Sequence, residues 1–402
     1  MRGGRRNIAS VVEIGGADMK YLLSVLMNMI ILFMIDPLWA QDSVFRYLPK
    51  DGGAYSLKIH RTETDNKVQI LVGIRKIGID WGPFRILQLV HFGRNKQQLE
   101  ILTLPASNEV NNTDILADFS VSGVLWFVRP MENGKLRVVR VKGLKILNQE
   151  IDLSRLANIR DLTFFNLRAV GDNEAWAFGK NGGYGVLMKL NGISNERVTA
   201  QLAESSELLS LLDVIPINQS EYMLIGGEFK SPKTKNMDIM TNLAITGPDF
   251  KVVKKRIQVE GLLQGAEVDK SGSIVVLTST IFPGKLLAHI SSGTLTNVKN
   301  VQLLEARSVT GKAFLGFHKN HLLSYVNNHG LCSIIATQLD TGQIKRIEHI
   351  SFGSDLCFGL TAHQGGKDTV LGVTRWHLDG AIPIVSAEVI FRDLDELIQG
   401  SN

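Results

Sequence analysis

The chain has 402 residues, 44% of them hydrophobic and 21% charged, which excludes wholesale disorder, collagen-like repeats and coiled coils. Two cysteines are too few for a disulfide-built scaffold or a four-cysteine zinc site. With 44 basic against 39 acidic side chains the net charge is +5, too mild for a dedicated nucleic-acid binder, so no nucleic-acid partner is expected.

The first expected element is an export signal. Tyr21 to Ile35 is an apolar run interrupted only by Ser24 and Asn28. Lys20 precedes it, Asp36-Pro37 ends it, and Leu38-Trp39-Ala40 offers a small residue for cleavage. This pattern reads as a signal peptide over 1–40, with Met19 as the alternative start. An uncleaved anchor is the competing reading, but the run is shorter than the roughly 20 apolar residues a span needs. No later segment is long and apolar enough to cross a membrane. The expected location is therefore periplasmic or extracellular, with residues 41–402 forming one domain.

Seven short β-like runs follow at even spacing. They begin at Val68, Val124, Ala175, Met223, Ile274, Leu322 and Val370, with steps of 56, 51, 48, 51, 48 and 48 residues. Each follows a polar or glycine-containing turn, such as Asp172-Asn173-Glu174 or Lys270-Ser271-Gly272, which suits a tight hairpin. Each is followed by a loop and a second β-like stretch, such as Leu136 to Val141 or Gly185 to Leu190. Helical periodicity is confined to short pieces, such as Asp393 to Gln399. Four short strands per unit of about 40–50 residues is the pattern of a propeller blade. One such sheet cannot bury both faces alone, but it can when packed radially against its neighbours.

The unit Asn218-Gln-Ser-Glu-Tyr-Met-Leu-Ile-Gly-Gly227, followed by Asp238 to Leu243, resembles the repeats of bacterial exported β-propeller proteins. Weaker copies lie at Asp172 to Gly192 and Asp269 to Gly293. The resemblance is degenerate, covers roughly residues 54–391, and names no enzyme family. The expectation is an all-β fold: a single propeller of seven blades, with six as the alternative, and four antiparallel strands per blade. The last unit lacks an outermost strand, and Ser43 to Leu48 could supply it, removing an open edge.

No nucleophile elbow, zincin, Cys-x-x-Cys or phosphate-loop motif occurs, so no catalytic residue, metal or cofactor is assigned. His318 and His321 sit three apart at a turn with His329 nearby, a weak zinc pattern better read as turn histidines. Asp269-Lys-Ser-Gly-Ser273 resembles a calcium loop only faintly and is expected to be a hairpin turn. Cys332 and Cys357 fall in adjacent units, as either a bridge or two buried thiols. Trp126 and Trp176 lie inside strands and belong to the core. Trp81 and Trp376 fall in loops beside Asp80 and His377, where exposed aromatics can stack on sugars or peptides.

Charge sorts by face. Loops joining second to third strands carry Arg129, Lys180, Lys230, Lys233, Lys285 and Arg375 among nine cations, against five acids. The opposite turns carry seven acids, among them Asp172 and Asp269, against four lysines. A basic face around an axial funnel would attract an anionic ligand. The leading expectation is a non-catalytic binding protein. It would meet a protein, peptide or anionic saccharide through Trp81, Arg129, Lys180, Lys230, Lys233, Lys285, Arg375, Trp376 and His377. The alternative is a carbohydrate-active hydrolase or lyase using carboxylates from different blades, with Asp80 and Asp238 as candidates.

Overall fold

The computed structural model describes residues 45–399 except 50–51, 63–66, 76–83, 94–97, 106–115, 132–133, 157–160, 195–196, 206–207, 209, 230–238, 251–252, 281–283, 306–312, 329, 351–354, 366 and 380–381. The 1–40 segment, Trp81, Asp80, Lys230, Lys233, Asp238 and His329 lie outside the described residues.

Every evenly spaced run becomes the second strand of a four-stranded antiparallel sheet. Seven such sheets form the ring of a seven-bladed β-propeller, so the six-blade alternative is set aside. The blades span 53–103, 116–152, 162–205, 213–260, 262–305 and 314–350, with the seventh at 356–393 plus 45–47.

The residue pattern changes from the axis outward for a physical reason. Second strands are covered on both faces by neighbouring blades, so Val68–Arg75 is buried throughout. Outer strands have one face in water, and Lys299–Glu305 and Ile344–Ile350 alternate accordingly. Seven apolar clusters fill the ring, one between each pair of adjacent blades. Trp126 is wholly buried, and its indole N–H donates to the Gly171 carbonyl of the next blade at 3.2 Å. Trp176 is buried between blades 3 and 4. Small residues near the axis are required by contact: a Cβ at Gly179 would collide with the Thr163 carbonyl of the inner strand.

The ring closes with a strand from the start of the domain. Phe45–Tyr47 (β1) pairs antiparallel with the third strand of blade 7, Ile382–Asp393, matching Arg46 to Glu388. Arg46 Nε lies 2.6 Å from Glu388 Oε1, and Tyr47 donates its phenolic O–H to Gln88 of blade 1. A three-residue strand thus grips both sides of the seam. The Leu394–Gln399 helix (α1) follows, and its Asp395 bonds His318 of blade 6 at 2.7 Å. Cys332 opens the third strand of blade 6, and Cys357 lies on the inner strand of blade 7. Their Cα atoms are 5.7 Å apart and their sulfurs are bridged, which resolves the two alternatives. Asp269 accepts the backbone N–H of Ser271 and of Ser273, the hairpin turn expected for that segment.

Candidate functional site

The first strand of each blade faces the axis. Between these seven strands runs a channel of about 1690 Å³, reaching both faces of the ring. This exceeds the roughly 300–1,000 Å³ of ordinary small-ligand pockets. The channel is amphipathic along its length. Inner strands run from the loop face to the hairpin-turn face, so residues early in each strand form the loop-face mouth. There Leu262, Leu356, Phe358 and Trp376 make an apolar rim. Phe358 is 50% exposed and meets Trp376 edge-on, with ring centroids 6.3 Å apart.

Deeper in, five consecutive blades each contribute one charged side chain. Lys58 Nζ lies 2.8 Å from Asp118 Oδ1, joining blades 1 and 2, and sits 5.2 Å from the Phe314 ring centroid of blade 6. Asp118 Oδ2 accepts the Ala169 backbone N–H of blade 3. Arg168 grips Asp213 of blade 4 through Nε at 3.2 Å and Nη2 at 2.9 Å. Its Nη1 lies 3.8 Å from Glu267 of blade 5. Burial alone would lower the Arg168 pKa, but the Asp213 and Glu267 carboxylates override it and hold the guanidinium firmly charged. Burial raises the Glu267 pKa, helped by the Asp213 charge and opposed by Arg168.

Near the hairpin-turn end, His60 of blade 1 meets His363 of blade 7 with centroids 4.3 Å apart. Burial, reinforced by His363, lowers the His60 pKa to about 4. The folded protein therefore holds His60 neutral where the unfolded chain, near 6.5, would take a proton. The resulting stability is complete above pH 6.5 and is lost as pH falls toward 4. Between pH 8 and pH 5 the wild type should lose about 2 kcal/mol more than His60→Gln, measured by urea melts at each pH. Parallel pH profiles would show that His60 does not titrate abnormally.

The nine residues expected to bind ligand divide sharply. Trp376 lines the channel, but it and His377 lie inside the second strand of blade 7, Asp368–Asp379, and not in the loop expected for them, because the hairpin with the following strand extends through them. Arg375, one residue away, is committed elsewhere: its Nε lies 2.7 Å from Asp355 and its Nη1 3.3 Å from Glu388. His377 pairs in register with Ile384. Arg129, Lys180 and Lys285 stand at the loop ends of middle strands in blades 2, 3 and 5, outside the channel lining. Trp81, Lys230 and Lys233 lie outside the described residues. Sequence reasoning missed the charged band of Lys58, Asp118, Arg168, Asp213 and Glu267. The signal was present: each is a charged side chain on the strand just ahead of its unit's hairpin turn.

No protein-family model matches the chain, and no curated protein matches it. Among solved structures it is similar to the polysaccharide lyase Uly1, with TM-score 0.51 and 9% identity over 90% of this chain and 95% of that one. A lignostilbene dioxygenase from Pseudomonas brassicacearum aligns with TM-score 0.47 and 10% identity over 86% and 93%. A Synechocystis apocarotenoid oxygenase aligns with TM-score 0.47 and 10% identity over 87% and 98%. Identity this low establishes a shared fold and nothing about chemistry.

Proposed function

We propose that this protein is an exported binding propeller that takes a peptide segment of a partner at the loop-face mouth of its axial channel. The observation that carries this reading is the half-exposed Phe358 beside Trp376, at the rim of a channel deep enough to receive a chain. Aromatic side chains at the entrance of a concave site supply contact area at low entropic cost. Export is supported by the leader pattern of 1–40, and the Cys332–Cys357 bridge suits an oxidising compartment. An anionic saccharide would instead rest on Arg129, Lys180 and Lys285, which lie on the same face. Arg375 adds little to that field, because Asp355 and Glu388 already neutralise it.

A hydrolase or lyase is the second reading, favoured by one feature. Asp213 and Glu267 flank the same guanidinium, and burial pushes the Glu267 carboxyl up toward the protonated form an acid catalyst needs. One experiment separates the readings. Peptide and saccharide arrays should be probed with wild type and with Phe358→Ala/Trp376→Ala. The peptide reading expects captured peptides whose affinity falls at least tenfold in the double variant. Capture of acidic saccharides alone would overturn it, and shortened saccharide products would select the enzyme.

A further inference from the structure

The whole channel lining holds five lysines and arginines against four carboxylates, but the band at mid-channel, taken by itself, does not balance in that direction. It holds three carboxylates, Asp118, Asp213 and Glu267, against two cations, Lys58 and Arg168. The pairing is also uneven. Asp118 has Lys58 at 2.8 Å and a backbone N–H at 2.9 Å. Asp213 has the two-pronged grip of Arg168 and the N–H of Val214 at 2.8 Å. Among the described residues, Glu267 has only Arg168 Nη1 at 3.8 Å and a long 3.4 Å contact from the N–H of Val268. Its side chain is still 40% exposed and lines the channel.

We infer that Glu267 is the seat for a cationic side chain, lysine or arginine, on an extended peptide that enters from the apolar rim. This rests on the peptide reading above and adds the chemistry of its ligand. The hairpin-turn mouth is lined by Lys270, Asp269 and Lys319, the last held by Asp395 at 2.6 Å, whereas the loop-face rim offers apolar contact from Leu262, Leu356, Phe358 and Trp376, with the nearby Arg75 buried. Glu267 lies five residues along its strand from Leu262 at that rim, and the bulge between Leu263 and Gly265 shortens the path to four register steps, about 13 Å at roughly 3.3 Å per residue. An extended peptide covers that depth in about four residues. The recognised pattern is therefore an apolar residue at the rim and a basic one about four positions away. The raised pKa of Glu267 agrees with this role, since a cation seated on it would offset the burial that disfavours its charge.

The test uses the disulfide-bonded protein and three synthetic pentapeptides, each with tryptophan first and alternating glycine and serine between. The last residue is arginine, its neutral isostere citrulline, or norleucine. Calorimetry should give the arginine peptide at least tenfold tighter binding than either neutral one, a preference that Glu267→Gln removes. Glu267→Gln changes no volume, and the citrulline comparison needs no variant at all. If all three peptides bind equally and depend on Phe358 and Trp376, the cation seat is refuted while the peptide reading stands. If none binds, both fall.

Discussion

Replacing Cys332 with serine is expected to lower the unfolding free energy by about 3–4 kcal/mol, the value for cross-linking a loop of this size. The bridge spans 25 residues and ties blade 6 to blade 7. Its main action is on the unfolded chain, which loses conformations when the two ends are joined. Both cysteines are buried beside the apolar cluster that already joins these blades, so the serine hydroxyl gains no solvent in compensation. Urea melts with and without dithiothreitol check this. Reduction should destabilise the wild type by the same amount and leave Cys332→Ser unmoved. A wild-type midpoint indifferent to reductant would show that the bridge contributes nothing. The bridge also abuts the rim, since Cys357 lies between Leu356 and Phe358, so reduction should loosen the mouth before the far blades.

Arg375→Met is expected to cost about 3 kcal/mol and to leave peptide binding nearly unchanged. Glu388 is wholly buried, and it accepts from Arg375 at 3.3 Å and from Arg46 of the closing strand at 2.6 Å. Asp355 accepts from the same Arg375 guanidinium. Removing Arg375 leaves the Glu388 carboxylate buried with one partly exposed cation, Arg46, and a long 3.4 Å contact from the Ser386 hydroxyl, and deprives Asp355 of its short contact. A buried charge that has lost its partner is far costlier than no charge at all. The double variant Arg375→Met/Glu388→Leu should therefore recover most of the loss, because an apolar pair of similar volume replaces the ionic one. Thermal melts of the two single variants and the double supply the cycle. A double variant less stable than Arg375→Met would mean that the ionic register itself holds the ring shut. Arg375 illustrates how a loop-face cation can be structural: its charge stabilises the closing seam instead of projecting toward a ligand.

Individual residues show where sequence reasoning reaches the site and where it stops. Trp376 was legible as a contact aromatic but not in its placement: it lies inside the Asp368–Asp379 strand, not in a loop, and reaches the channel from there. Phe358 was not legible. It sits in an ordinary strand, and only the direction of that strand toward the axis exposes it. Glu267 looked like any polar residue ahead of a turn. Its significance depends on Arg168, about a hundred positions earlier, and on Asp213 claiming that guanidinium first.

The sequence by itself determined a ring of four-stranded units, seven expected with six left open, because burial between neighbouring blades imposes the same apolar run about every fifty residues. It also pointed to the closing strand, since a unit short of one edge strand needs a partner and Ser43 to Leu48 precedes the first blade. The tertiary structure decided what the ring encloses. Which charges pair, which one is left over, and which end of the channel is apolar all depend on side chains brought together from five blades. Spacing along the chain carries no record of those distances. The modest net charge of +5 says little by itself: Arg375 is neutralised at its own blade, while the band at mid-channel carries one more carboxylate than cation.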